Sequence, residues 1–127
     1  MYNIIRGDDI MEKNKINLKN IDLKVTYEMA VRRKDRVNPL QVMMGVPTSR
    51  AELELLKRKC VIYVQGEMKK YEDKFDGEFK ILVMKRYNNI IDAIRGLIDY
   101  RRIYTEIERF EIFLNVLYCY VLEMKEE

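Results

Sequence analysis

TEIERFEIFLNVLYCYVLEM, residues 105–124, decides how the rest of the chain is read. Ile107, Phe110, Leu114, Leu117, Val121 and Met124 fall at heptad spacing, and Ile112, Phe113, Val116, Tyr118 and Tyr120 fill the flanks. A helix that is apolar nearly all round must be covered on more than one side, either at the centre of a bundle or against a second subunit.

Working back from there, Val83, Tyr87, Ile90, Ile94 and Leu97 alternate by four and three, the spacing of one helical face. Thr105 with Glu108 reads as a capping box, which places a break between Tyr100 and Thr105. Ser49 with Glu52 is another, opening a helix whose stripe runs Leu53, Leu56, Cys60 and Tyr63. That stripe then changes phase near Gly66 and continues through Val64, Met68, Tyr71 and Phe75 to Asp76-Gly77. The phase change predicts either a kink at Gly66 or a continuous helix with two packing partners. Asn38 as N-cap, Pro39 at the first helical position and Gly45 as the stop predict a short helix over residues 39–44. From Asp22 to near Val37, Leu23, Tyr27, Ala30 and Val31 predict an inward face, with Arg32, Arg33, Lys34 and Arg36 complementing the helix dipole at its end. Residues 1–21 fit no periodic template and are expected to be irregular, with room for a short helix. The expectation is one all-α domain over residues 1–127, a compact bundle of four main helices plus the short one.

Composition agrees with that and narrows the chemistry. In 127 residues there are only five Gly and two Pro, so few turns are available, while 48% hydrophobic and 35% charged residues suit a folded soluble domain. The absence of His removes Ser-His-Asp and Cys-His nucleophilic pairs and the H-E-x-x-H zinc site. Cys60 and Cys119 form no C-x-x-C and are expected to be buried free thiols in a reducing cytosol. No phosphate-cradling glycine motif occurs, so no cofactor is expected. Asp8-Asp9, Glu52 with Glu54, Glu67-Met68-Lys69 and Glu123-Met124-Lys125 read as solvated helix surface, with no metal site among them. Neither a signal peptide nor an apolar run of roughly 18 residues is present, so a cytoplasmic protein without membrane contact is expected. Nothing points to an enzyme.

Charge is unevenly spread. Residues 1–103 carry 22 basic and 15 acidic side chains, net +7, whereas residues 104–127 carry two basic and six acidic, net −4. Arg50, Lys57, Arg58 and Lys59 occupy one predicted helix, and Lys85, Arg86, Arg95, Arg101 and Arg102 the next. If the two helices pack antiparallel, these cations join into a groove for a sugar-phosphate backbone. The plainer explanation is solubility, with Asp92–Arg95 and Asp99–Arg102 as helix pairs. Tyr63, Tyr71, Tyr87 and Tyr120 belong with the core, while Tyr100 and Tyr104, beside Arg101 and Arg102, are the aromatic pair expected to face a nucleic acid. Residues 38–58 also follow the order of a DNA-reading helix-turn-helix, although its second helix would need apolar side chains at Ala51 and Glu54.

One family resemblance emerges. Ile107-x-x-Phe110-x-x-Phe113-Leu114, followed by Tyr120, resembles the C-terminal signature of the small, all-helical subunit of the type III-A CRISPR effector, the Csm complex. Cys119-Tyr120 stands where that family has Ala-Tyr, but Val121 and Leu122 replace its His-Lys, and Asn115 replaces a usual Glu. Tyr27-Glu28-Met29-Ala30 is similar to its first-helix Tyr-x-x-Ala, Val46-Pro47-Thr48-Ser49-Arg50 to its Thr-Ser segment, and Lys85-Arg86-Tyr87 echoes its Lys-Leu-Ala-Tyr. The resemblance implies a non-catalytic protein stacked in several copies beside other effector subunits, holding guide-paired target RNA through backbone charge. Arg50, Lys57, Arg58, Lys85 and Arg86 are its RNA-facing candidates; Arg101 and Arg102 join them on charge alone. Self-association through the last helix is expected. The competing readings are a DNA-binding helix-turn-helix regulator and a helical adaptor that binds only protein.

Overall fold

The computed structural model describes residues 17–33 and 38–126, and the expectations for residues 1–16 and for the cations Lys34 and Arg36 lie outside them. Five helices follow in order: α1 (Leu18–Arg33), α2 (Pro39–Met44), α3 (Arg50–Lys70), α4 (Gly77–Gly96) and α5 (Tyr100–Glu126). There is no strand among the described residues. The molecule is the all-α bundle expected, with four substantial helices and a short one.

α5 is the axis. Its 27 residues span about 40 Å, and it packs against each of the other four helices, while α3 also packs on α4. Ile103, Ile107, Leu114 and Leu117 are fully buried, and Phe110, Ile112, Phe113 and Val121 nearly so. The cover that this helix requires therefore comes from its own chain. In the middle of the helix the side carrying Asn115, Cys119 and Leu122 is open, as are residues at its two ends. Cys119 is thus exposed, contrary to expectation, whereas Cys60 is buried as expected.

The start of α5 corrects the sequence reading. The break falls at residues 97–99, and the helix runs through Thr105 without interruption. Asp99 performs the capping, its carboxylate accepting from the Arg101 N–H at 2.9 Å. The Thr105 hydroxyl instead donates back to the Arg101 carbonyl at 2.8 Å, a bond available only inside a helix. Burial of Ile103 and Tyr104 holds this first turn in register.

α1 differs in both start and face. Asn17 caps it, accepting from the Asn20 N–H at 3.2 Å, so it opens before Asp22. Ile21, Val25 and Met29 are buried, one turn apart, while Leu23, Tyr27 and Val31 are exposed. The helix carries apolar residues on opposite sides, and the side that packs on α5 is the one with Ile21, Val25 and Met29; beside it Asp22 meets Arg86 of α4 at 3.0 Å.

Between these elements the local signals act as read. Asn38 Oδ1 accepts from the Leu40 N–H at 2.9 Å, and Gly45 ends α2 at φ +84, a conformation that favours glycine. Ser49 Oγ accepts from the Glu52 N–H at 3.1 Å. Glu52 reaches back one residue further than a simple capping box, to the hydroxyl of Thr48 at 2.9 Å and its N–H at 3.2 Å. α3 continues through Gly66 but stops at Lys70, and residues 71–74 form a turn that carries Phe75 into the core. Gly77 belongs to the start of α4.

Candidate nucleic-acid interface

The groove between α3 and α4 is built by two antiparallel helices. At one end Lys57 Nζ donates to the Arg95 carbonyl at 2.9 Å, a cation on the unsatisfied carbonyl end of α4. At the other end Met68 and Lys69 of α3 face Lys80, Val83 and Met84 of α4 across a cavity of about 380 Å³. Helical spacing places further cations in phase with the residues that line this cavity. Arg58 lies seven and eleven residues before Gln65 and Lys69, hence on their face of α3, and Arg95 lies eleven and fifteen residues after Met84 and Lys80, on theirs of α4. Arg58, Lys69, Lys80 and Arg95 are all exposed.

The sequence-predicted cations divide accordingly. Lys57 and Arg58 belong to the groove, and Arg50 lies two turns before Lys57 on the same side of α3, exposed. Lys85 is exposed on the outer face of α4. Arg86, expected to be exposed like Lys85, is not. It turns towards α5, its guanidinium 4.7 Å from the centroid of Phe113 and 3.0 Å from Asp22 Oδ1, with 30% of the side chain accessible. One residue is 100° of helix, which separates these neighbours into different environments. Arg101 and Arg102 are exposed where α5 begins, Arg101 pairing with Asp99 at 3.4 Å in place of the expected Asp99–Arg102 pair. Lys69 and Lys80 were missed by the charge reading because Lys69 was read with Glu67 as solvated surface and Lys80 stands alone between Phe79 and Ile81. The signal was their helical phase relative to Arg58 and Arg95.

The aromatic expectation also changes. Tyr104 is 1% exposed, and its hydroxyl donates to the Gly45 carbonyl at 2.7 Å. Burial pushes its pKa up to about 12. Tyr100 is half-buried against it, ring centroids 5.9 Å apart. Neither forms a stacking platform. Rings do line the α3–α4 cavity: Tyr71, Phe75 and Tyr87.

Acidic groups gather elsewhere, between α3 and α5. The Tyr63 hydroxyl donates to Glu111 Oε2 at 2.7 Å, and Glu67 pairs with Lys70 at 3.0 Å. Burial, reinforced by the charges of Glu67 and Glu108, raises the Glu111 pKa to about 7 against the opposing Tyr63 hydrogen bond. Among the described residues no three His, Cys, Asp or Glu side chains converge as a metal shell. Ala51 and Glu54, where a helix-turn-helix needs apolar contacts, are exposed. No described helix is long and apolar enough to cross a membrane.

Compared with known protein families, curated proteins and solved structures, the chain gives no match.

Proposed function

We propose that this chain is a non-catalytic RNA-contacting protein that carries nucleic-acid backbone along the groove between α3 and α4. The supporting observation is that Lys69 and Lys80 line one cavity between the two antiparallel helices, that Lys57 reaches the Arg95 carbonyl across the same helix pair, and that Arg58 and Arg95 are exposed in helical phase with the cavity-lining residues. The twelve helical steps from Lys57 to Lys69 cover about 18 Å, room for several consecutive phosphates of one strand. Charge without a helix shaped for a major groove favours contact with backbone over base-edge reading. Arg50, Lys85, Arg101 and Arg102 extend the positive surface, and Arg86 serves as a positioning residue for α1. The finer assignment, to the small subunit of a type III-A CRISPR effector working in the cytoplasm beside guide RNA and other effector subunits, draws on the sequence resemblance.

The test is a filter-binding titration with single-stranded RNA at 50 and 200 mM salt. Neutralising about four phosphates should cost about 50-fold in affinity over that interval, from a slope of roughly −0.7 per phosphate. Replacing Arg58, Lys69 and Lys80 together by Gln should weaken binding and flatten the slope, with helicity unchanged. Absent or salt-independent binding overturns the proposal. Preferential duplex DNA binding that requires Arg50 and survives neutral competitor replaces it with the regulator reading.

A further inference from the structure

We infer that the cavity at the α3–α4 turn receives one unpaired nucleobase of the bound strand, with its phosphodiester held by Lys69 and Lys80. This rests on the backbone-binding reading above and specifies what the groove takes at one end.

The cavity has rings already fixed in place. Tyr71 is stacked on Phe75, centroids 5.9 Å apart and planes 21° apart, and meets the edge of Tyr118 at 5.8 Å. Tyr87, across the opening, is held against Phe110 at 6.4 Å. Phe75 is buried, whereas Tyr71 and Tyr87 are half-buried and so present part of each ring to the opening. Met68 and Met84 complete a soft, polarizable wall. A volume of about 380 Å³ lies at the small end of ligand-binding clefts, about 300–1,000 Å³. It is large enough for a planar ring system with its sugar.

The rim selects the charge. Lys69 and Lys80 bring two positive charges and Glu72 one negative, leaving one net positive, the complement of a phosphodiester monoanion. Gln65 supplies an amide that both donates and accepts, suited to the mixed edge of a base but wasted on a hydrocarbon. Stacking tolerates any base, so occupancy is expected to be independent of sequence.

The experiment compares two single-stranded RNA oligomers, identical except that one has an abasic site at its central position, with 2-aminopurine there as a fluorescent third version. The intact strand should bind about five- to a hundredfold more tightly than the abasic one, and 2-aminopurine emission should be quenched on binding. Tyr71→Leu with Tyr87→Leu, which removes the two half-buried rings of the cavity while keeping apolar bulk, should erase both effects while leaving helicity and the salt dependence intact. Equal affinity for intact and abasic strands, with normal salt dependence, overturns the base site and leaves the backbone reading standing. Loss of binding to every strand overturns both.

Discussion

The hydroxyl of Tyr104 donates to the carbonyl of Gly45 at 2.7 Å, tying the loop before α3 to the first turn of α5 across 59 residues. Gly45 is also the residue whose positive φ ends α2. Tyr104→Phe keeps the ring and removes the donor, leaving that carbonyl without this bond. A loss of about 1–2 kcal/mol in chemical denaturation is expected, and Tyr104→Ala, which also opens a cavity, should cost about 3–5 kcal/mol. Tyr104→Phe with unchanged stability would mean that water serves the carbonyl equally well.

Arg86 combines an ion pair with a ring contact. Exposure of half the Asp22 side chain keeps the pair itself weak, about 0.5–1 kcal/mol, and the Phe113 face adds a similar amount. Arg86→Ala should therefore destabilise by about 1–2 kcal/mol, and a double-mutant cycle with Asp22→Asn should return only the ion-pair share, about half of that. RNA affinity should fall less for Arg86→Gln than for Lys80→Gln.

Glu111 predicts an inverted acid response. Its folded-state pKa, raised to about 7 by burial, exceeds its ordinary value of 4.5. Between those values the folded chain holds a proton that the unfolded chain has released, so this residue's contribution falls as pH rises from about 4.5 to 7 and is constant beyond. Tyr63, Glu67, Lys70 and Glu108 surround it and stay in place in Glu111→Gln. That variant should be more stable than the parent at pH 8, on the order of 1 kcal/mol after allowing for solvent screening, and equal to it near pH 4. Denaturant midpoints at the two pH values check this, and a pH-independent difference would remove the charge explanation.

The two thiols should separate cleanly. Cys60 is fully buried, its Sγ 3.8 Å from the Met44 sulfur, and burial lifts its pKa to about 11. Cys119 is exposed. A thiol reagent should label one cysteine in the native protein and two after denaturation. Prompt labelling of both would mean that α2 lifts off α3.

On α1, Ile21→Ala or Val25→Ala should cost about 2–4 kcal/mol, whereas Leu23→Gln and Val31→Gln should stay within about 0.5 kcal/mol. Thermal unfolding of the four variants discriminates the buried side from the exposed one.

That last contrast marks where sequence reading ended. Pro39, Gly45 and the Ser49–Glu52 pair act through neighbours a few residues away, so α2 and the start of α3 were legible from local chemistry. The side of α1 that enters the core was not, because both sides are apolar and the choice depends on packing against α5, which lies roughly eighty residues further along the chain. Thr105 and Glu108 carry a genuine capping pattern, overridden by the burial of Ile103 and Tyr104. At the candidate interface the abundance of cations was legible, but their sorting depended on helix phase. Lys85 and Arg86, adjacent in sequence, belong to solvent and to the α1 contact respectively, while Lys69 and Lys80, eleven residues apart on different helices, share a rim.

Because α1 docks chiefly on α5, the first described helix finds its seat only when the last has been synthesised. At roughly 5–20 residues per second, Ile21, Val25 and Met29 wait several seconds on the translating ribosome before Leu114 and Leu117 exist. Assembly is thus a closing event between early and late segments.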